Sequence, residues 1–164
     1  MPINILPLSL VDQSLLMDFL FNAIFTPAGE IPPSRAILDE PEIAHYAAEW
    51  GKVGDMGFKA VEDEIPVGAA WLRLIDGYGH IADDIPELTI SVLPAYRGRG
   101  IGTALLLQVI NSASRQFRGI SLSVMGANPA IHLYERFGFR IVKPDGGSYT
   151  MLRRMDTDEQ LFSK

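Results

Sequence analysis

A chain of 164 residues is long enough for one domain with a sizeable core and too short for two ordinary ones, so we predict a single domain over residues 1–164. Hydrophobic residues make up 48% of the chain and charged residues 21%, a balance typical of a globular protein. The net charge of -6 disfavours nucleic acid or an anionic membrane as a partner. The lack of cysteine excludes disulfides, a thiolate nucleophile and cysteine metal ligands.

The most apolar segment near the N-terminus, residues 15–25, is interrupted by Asp18 and Asn22 and is not preceded by basic residues. A signal peptide needs a basic start before its apolar stretch, and a membrane span needs a longer apolar stretch than this one. We therefore expect neither of them, and we predict a cytoplasmic protein.

The first half of the chain is predicted to hold a short strand, two helices and a β-hairpin. Residues 4–6 have the composition of a strand, and Ser9 is a suitable cap for a helix over residues 10–25. Proline and glycine in residues 26–33 end this helix and indicate a loop. The other predictions for this half are a helix at 41–50 and paired strands at 58–62 and 67–74.

The second half alternates strands with helices. Residues 88–92 alternate apolar and polar side chains, as in a strand with one face on the core. Residues 100–117 place apolar side chains at helical spacing and form the most clearly predicted helix. The last predictions are a strand at 120–124, a helix at 129–137, and strands at 140–142 and 148–153. This alternation indicates an α/β layered domain with parallel strand pairing in this half.

The segment that joins the predicted strand at 88–92 to the predicted helix at 100–117 is rich in glycine and arginine. Gly98, Gly100 and Gly102 remove side chains where the backbone bends tightly or approaches a ligand, beside the unpaired N–H groups of a helix start. Arg97 and Arg99 add positive charge at the same place. Because helix N-termini attract anions through these donors and the helix dipole, the segment predicts a phosphate site.

Known phosphate motifs narrow the choice of ligand. The third glycine comes one residue too early for the dinucleotide pattern G-x-G-x-x-G, and no G-x-x-x-x-G-K-[ST] occurs. A different carrier of pyrophosphate is therefore indicated. The alternative that stays open is a glycine-rich turn that only lets the helix pack closely on the sheet.

Residues 88–103 resemble the acyl-CoA-binding motif of the GNAT-type N-acetyltransferase superfamily, R/Q-x-x-G-x-G/A after a strand, which Arg97, Gly100 and Gly102 match. Residues 128–139, an asparagine followed by a short helix with Leu-Tyr-Glu and then Gly-Phe, resemble that family's second motif. The two motifs come in the family's order. The resemblance implies a mixed central sheet of six to seven strands flanked by about four helices, splayed between its fourth and fifth strands and bulged in the fourth.

The resemblance also implies acetyl-CoA (coenzyme A) as the cosubstrate and suggests which residues bind it. Ile90 and Val92 would offer backbone groups to the pantetheine arm, and Asn128 would hold that arm in place. The residues that would wrap the pyrophosphate, mainly through backbone N–H groups, are Arg97, Gly98, Arg99, Gly100, Gly102 and Thr103.

The family mechanism is direct attack of an amine on the thioester, which needs a base for the amine and an acid for the departing thiolate. Tyr134 matches the family position of the acid, and the alternative is a tyrosine that only packs beneath the cofactor. Glu87 lies where relatives often place a carboxylate that takes the amine proton, usually through water, although a glutamate at a strand end is often just solvated. His80, Asp83 and Asp84 are rivals, and all four residues could instead form an acidic mouth that attracts a cationic amine.

The resemblance predicts an N-acetyltransferase that moves acetyl from acetyl-CoA to a primary amine of an unidentified acceptor, either a small molecule or a peptide. A non-catalytic acyl-CoA sensor of the same fold is the alternative. His45, His80 and His132 are too scattered for a metal motif, so we predict no metal. The loop at 26–35 is a candidate lid over the acceptor or a plain connector. A homodimer is expected only from the family.

Overall fold

The computed structural model describes residues 2–155 of the chain, and seven strands and four α-helices lie within them. The strands are β1 (Asn4–Pro7), β2 (Met56–Glu62), β3 (Ile65–Arg73), β4 (Glu87–Val92), β5 (Gly119–Met125), β6 (Arg140–Asp145) and β7 (Ser148–Arg154). The helices are α1 (Gln13–Ala23), α2 (Pro41–Ala44), α3 (Ile101–Ala113) and α4 (Ala130–Arg136). None of the helices in residues 2–155 has the length and apolar character to cross a membrane.

The strands form one mixed sheet in the order β1-β2-β3-β4-β5-β7-β6. The predicted α/β class, with its strand and helix numbers, is confirmed. Within residues 2–155, parallel pairing is confined to β4 and β5, whereas the sequence pattern predicted it more widely in the second half. The reason is the two-residue turn Gly146-Gly147, which joins β6 to β7 with both residues at positive φ and so makes that pair an antiparallel hairpin.

Strand β4 is paired along one edge and largely open along the other. It is in register with β3 from Gly68↔Val92 to Arg73↔Glu87, but it meets β5 only at Glu87↔Ser121. The sheet therefore splays between its fourth and fifth strands, as predicted. The predicted bulge in β4 is wrong, because its register with β3 has no shift. The backbone groups of β4 that point toward β5 are not paired with it beyond Glu87, because β5 diverges from β4.

The first helix is shorter than the predicted range of residues 10–25. Ser9 precedes a single 3-10 turn (Leu10–Asp12), and α1 begins only after that turn. The carboxylate of Asp12 accepts a hydrogen bond from the Ser9 backbone N–H at 2.9 Å and pairs with the Lys59 ammonium on β2 at 2.9 Å. This contact with the sheet fixes the turn and delays the start of the helix.

The second helix was predicted over residues 41–50, but α2 covers only its start. The reason is the side chain of Arg73, which is buried together with Asp55 and pairs with it at 2.7 Å. Arg73 also donates hydrogen bonds to the backbone carbonyls of His45, Ala48 and Glu49. These interactions hold the segment after α2 in turns that a continuous helix could not form.

Two apolar layers cover the two faces of the sheet. Helix α3 packs on one face through the buried side chains Leu105, Leu106 and Val109. Helix α1 packs on the other face in a cluster that includes Trp50 and Trp71. The other predicted strands and helices are present with somewhat different ends. The sheet is thus enclosed on both sides, and the gap beside β4 opens between the two layers.

Candidate active site

The gap between β4 and β5 opens into a cavity of about 1260 Å³. One end of the cavity is lined by the start of α3 and by α4, and the other end by α1, the loop after it, and Tyr46 and Tyr78. The exposed edge of β4 runs between the two ends. A single space therefore connects the predicted phosphate site with the helices of the first half.

Residues 97–103, which we call the glycine segment, turn tightly into the start of α3. Gly98 and Gly100 have φ of 77° and 80°, the left-handed region in which other residues are strained. The first helical hydrogen bond runs from the Ala104 N–H to the Gly100 carbonyl at 3.0 Å. The N–H groups of residues 101–103 therefore precede the first helical bond, and all three residues line the cavity. This end of the cavity is suited to an anion.

The two arginines of this segment point to different places. The Arg97 side chain lines the cavity, and its Nε donates to the Val92 carbonyl at 2.9 Å. Arg99 pairs with Glu62 at 2.5 Å and lies over the ring of Tyr96, outside the cavity lining. Sequence reasoning grouped these two charges, but the structure leaves only Arg97 facing the predicted phosphate site.

The open edge of β4 presents backbone groups of alternate residues. The Leu93 N–H donates to the Val67 carbonyl on β3 at 2.9 Å, so odd-numbered residues of β4 direct their backbone groups toward β3. The even-numbered residues Ile90 and Val92 therefore direct their N–H and C=O groups to the opposite edge, toward the gap. These are the residues predicted to contact pantetheine. The Val92 carbonyl already accepts hydrogen bonds from Arg97 and Asn22, which leaves its N–H and both groups of Ile90 facing the gap.

The second motif lines the opposite side of the same end. Asn128 accepts the Ala130 N–H at its Oδ1, 2.9 Å away, which helps to start α4. Tyr134 is 8% exposed and packs beside Phe139 with ring centroids 5.9 Å apart. Burial raises the pKa of Tyr134 to about 12, so the phenol stays protonated at neutral pH. Both Asn128 and Tyr134 line the cavity.

Glu87 is enclosed rather than solvated, with only 1% of the residue exposed. Its Oε1 accepts hydrogen bonds from the Tyr46 hydroxyl and the Gly79 N–H, both at 2.9 Å. Its Oε2 accepts the Gly77 N–H at 2.7 Å. The carboxylate is not part of the cavity lining, whereas Tyr46 and Tyr78 are. The phenol of Tyr46 thus lies between Glu87 and the cavity.

Two tyrosines and a glycine complete this network. The Tyr46 oxygen accepts the Tyr78 N–H at 2.8 Å, and the two rings stack with centroids 6.3 Å apart. Burial, followed by the nearby Glu87 charge, raises the pKa of Tyr46 well above its usual value, so its hydroxyl remains a donor. A Cβ on Gly77 would lie 2.4 Å from the Tyr46 oxygen, so only glycine fits there.

The rival acid–base residues lie outside the cavity lining. Asp83 pairs with His80 at 3.0 Å, and Asp84 forms two hydrogen bonds to Arg118 at 2.6 and 2.9 Å. The hydrogen bonds from Arg118 lower the pKa of Asp84. The predicted acidic mouth is therefore not part of the described cavity wall. Of these four candidates, Glu87 is the one that is hydrogen-bonded to a residue of the cavity lining, Tyr46.

Sequence reasoning missed three residues that the structure brings to the site. Asn22 on α1 donates through Nδ2 to Ser91 Oγ at 2.5 Å and to the Val92 carbonyl at 3.2 Å. Arg136, at the end of α4, lines the cavity near the predicted phosphate site. Tyr46 lines the cavity, and its hydroxyl donates a hydrogen bond to Glu87. A signal for Asn22 was present, since it is an amide within an otherwise apolar helix stretch.

A mixed sheet that splays beside the glycine-rich start of a helix is the fold of the acyl-CoA N-acyltransferases. The family model of the acetyltransferase (GNAT) domain matches residues 55–141, more than half of the chain, so the protein belongs to the GNAT acetyltransferase family. The predicted membership of this family is confirmed.

Two curated relatives fit this assignment. Mycothiol acetyltransferase of Propionibacterium freudenreichii is 30% identical over 120 residues, which are 71% of this chain and 37% of that protein. N-alpha-acetyltransferase 50 of Danio rerio is 31% identical over 108 residues, 64% of this chain and 63% of that protein. The matches thus span less than two thirds of the length of these relatives.

Solved structures confirm the fold. The PaiA N-acetyltransferase from Thermoplasma acidophilum, in complex with coenzyme A, superposes with a TM-score of 0.68 at 20% identity over 94% of this chain and 99% of that one. A phosphinothricin acetyltransferase from Sinorhizobium meliloti, in complex with AcCoA, gives a TM-score of 0.66 at 22% identity over 94% of this chain and 89% of that one.

Proposed function

We propose that the protein transfers an acetyl group from acetyl-CoA to a primary amine by direct attack of the amine on the thioester. The observation that carries this proposal is one continuous cavity with an anion site at the start of α3, the open edge of β4 in the middle, and the buried phenol of Tyr134 beside it. The names of the matched relatives, which include an N-alpha-acetyltransferase, support the same chemistry.

The donor would occupy the α3 end of the cavity. The N–H groups of residues 101–103 and the guanidinium of Arg97 would bind the pyrophosphate, with Arg136 as a second cation on the same side. The backbone of Ile90 and the N–H of Val92 would pair with the amides of pantetheine. Pantetheine would thus take the place beside β4 that β5 would occupy if the sheet did not splay. Related structures that hold coenzyme A or AcCoA support this placement.

Tyr134 is proposed as the general acid. In the reaction a C–N bond forms, the C–S bond breaks, and the departing sulfur must receive a proton. The phenol is protonated at neutral pH because its pKa is raised to about 12, and it lines the cavity. A free thiol has a pKa near ~8.5, so proton transfer is favourable only as the amine gives up its own proton. We therefore propose that the two transfers are coupled, and that the proton taken from the amine returns through solvent to the Tyr134 phenolate after the thiol leaves.

Glu87 is proposed as the acceptor of the amine proton, acting through Tyr46. The carboxylate is buried behind the Tyr46 hydroxyl, which donates to it at 2.9 Å and belongs to a residue that lines the cavity. As the amine N–H approaches the Tyr46 oxygen, the phenol proton moves to Glu87 and is replaced by the amine proton. This route keeps Tyr46 neutral at the end of the step.

An acyl-CoA sensor without turnover is less well supported, because the matched relatives are named acetyltransferases and the phenol expected of the acid lines the cavity. The acceptor, the acyl-chain preference, a homodimer and a cytoplasmic location stay predictions. The names of the relatives, which include mycothiol and phosphinothricin acetyltransferases, differ in acceptor and so do not fix the one used here.

The proposal is tested by titration calorimetry with acetyl-CoA, followed by thiol release with a panel of amines. The expected result is binding that disappears in an Arg97→Glu, Gly100→Glu double variant and is kept in Arg99→Gln, whose side chain faces Glu62. Thiol release that depends on one class of amine would establish the transferase. Binding without release for any amine would favour the sensor, and no binding would exclude both.

A further inference from the structure

Charged side chains line only one end of the cavity. Among the described residues that line it, those with a charged side chain are Arg97, Arg136 and Asp145, which belong to the segment before α3, to α4 and to β6. The opposite end, formed by α1, the loop after it and α2, has no charged lining residue in the described chain. Its apolar wall consists of Phe21, Ile24, Phe25, Pro32, Pro33 and Ile43.

This distribution bears on the acceptor. With the anionic donor at the α3 end, the acceptor enters from the end with the apolar wall. A second ammonium or a carboxylate held against that wall would lose its hydration without gaining an oppositely charged partner among the described lining residues. An apolar substituent would instead gain from leaving water. The wall therefore favours an acceptor that carries no charge apart from its reacting amine.

Polar groups at this end suffice for one amine. Asn22 uses its Nδ2 for Ser91 Oγ and the Val92 carbonyl, so its Oδ1 is left to accept a hydrogen bond. Tyr46 and Asn22 both line the cavity, and Asn22 lies beside Arg97, with which it shares the Val92 carbonyl. Burial and then the charges of Glu42 and Glu40 raise the pKa of Tyr78, and Glu42 is the sequence neighbour of the lining residue Ile43.

We propose that the acceptor is a primary monoamine whose neighbouring substituent is apolar or aromatic. The proposal rests on the proposed transfer reaction and specifies its acceptor. Two sources share this chemistry, namely a small arylalkylamine and a peptide whose first residue has an apolar side chain. The carboxylates of Glu42 and Glu40 would attract the ammonium, and the apolar wall would select its substituent.

The test measures acceptor binding directly, so that it does not depend on turnover. Protein saturated with coenzyme A is titrated with 2-phenylethylamine, 1,4-diaminobutane and β-alanine. We expect the Kd of 2-phenylethylamine to be at least about tenfold lower than that of 1,4-diaminobutane or of β-alanine, each of which carries a second charged group. Equal or tighter binding of the diamine or of β-alanine, or no binding of 2-phenylethylamine, would overturn the proposal. If instead the protein does not bind acetyl-CoA, or releases no thiol with any amine, that result would contradict the transferase and not the choice of acceptor.

Matched variants test the wall itself. Phe25 lines the cavity and lies outside both core clusters, so Phe25→Asp places a carboxylate on the wall without opening the core. We expect the ratio of the two Kd values to shift at least about tenfold toward 1,4-diaminobutane. Ile31→Asp, in the same loop but 93% exposed and outside the lining, should leave the ratio unchanged. An unshifted ratio in Phe25→Asp would contradict the proposal.

Peptides distinguish the two sources of the amine. Short amidated peptides that differ only in their first residue, phenylalanine, aspartate or lysine, are compared with 2-phenylethylamine in the same titration. Tighter binding of the phenylalanine peptide than of the small amine would assign a peptide N-terminus, and the reverse order would assign a small arylalkylamine. A preference for the aspartate or lysine peptide would overturn the proposal for both sources.

Discussion

The hydroxyl of Tyr46 donates a 2.9 Å hydrogen bond to Glu87, a residue 41 positions away in sequence, and separates its carboxylate from the cavity. Both oxygens of Glu87 are further held by the backbone of the loop between β3 and β4. On the proposed route, this carboxylate exchanges protons with the cavity through the phenol. The relation between these two residues therefore decides how an amine could be deprotonated.

Removal of the Tyr46 hydroxyl tests this route. We expect Tyr46→Phe and Glu87→Gln each to lower kcat by about 10²-fold, because both interrupt the same proton path. The double variant should be little worse than either single one, since residues that act as a unit are not additive. Steady-state kinetics measure this, with the Kd of acetyl-CoA as a control for folding. Additive losses would contradict a shared path.

Tyr134→Phe tests the acid. We expect kcat to fall by about 10²-fold with little change in the Kd of acetyl-CoA, because the ring stays and only the proton donor is lost. The pKa of Tyr134 is raised to about 12, so the phenol is protonated below that pH. The wild-type pH–rate profile should therefore show no loss from Tyr134 between about pH 6 and 10. Unchanged turnover in Tyr134→Phe would remove the acid role.

Two glycine variants should separate stability from binding. Gly98 has φ of 77°, so Gly98→Ala should lower the free energy of unfolding by about 1–2 kcal/mol through backbone strain. Gly102 lies within α3, and a Cβ there would be 3.8 Å from Leu133 and 3.9 Å from Val92, at ordinary contact distance. Gly102→Ala should therefore stabilise the free protein by about 0.5–1 kcal/mol.

The same Gly102→Ala variant should weaken acetyl-CoA binding, because the added methyl group enters the space beside the cavity lining. Urea unfolding and titration calorimetry on the same samples measure the two effects. Stability and affinity that rise together in Gly102→Ala would show that the donor does not approach this part of the helix.

The two arginines of the glycine segment should differ in effect. Arg97→Gln should raise the Kd of acetyl-CoA by about tenfold or more, because it removes a cation that lines the cavity and donates to the Val92 carbonyl. Arg99→Gln should change the Kd much less, since Arg99 pairs with Glu62. Calorimetric titrations at low and high salt measure both, and equal effects would contradict the observed orientations.

Asp12 predicts a pH dependence of stability. Burial opposes ionisation of Asp12, but its hydrogen bonds with Lys59 and Ser9 lower its pKa below 3.8 overall. A lowered pKa stabilises the folded state above the unfolded pKa, and this contribution is lost as the pH falls through the folded value. Asp12→Asn should thus cost about 1–2 kcal/mol at pH 7 and less at pH 3, measured by urea unfolding.

A matched control for Asp12 lies on the following helix. Asp18 pairs with Arg35 at the surface, where both side chains are more than half exposed. Asp18→Asn should change the free energy of unfolding by less than about 0.5 kcal/mol at either pH. A similar cost for Asp12→Asn and Asp18→Asn would contradict the stabilising role of the Asp12 contacts.

Local patterns were enough to predict the backbone at the α3 end of the cavity. Glycine at residues 98 and 100 and an amphipathic helix after them define the backbone at the start of α3 without reference to the rest of the chain. Asn128 and Tyr134 were likewise predicted within one short motif, and both line the cavity. The first half was predicted less well, because buried Arg73 shortens the second helix through contacts 24 to 28 positions away.

The sequence by itself determined the family, the order of strands and helices, and the helix start that faces the cavity, because these depend on neighbouring residues. Only the tertiary structure decided that Glu87 is enclosed behind Tyr46, that Asn22 reaches Ser91 across 69 positions, and that Arg99 pairs with Glu62. These contacts join distant segments across the splayed sheet. Sequence spacing cannot specify them, because packing of the two layers brings those side chains together.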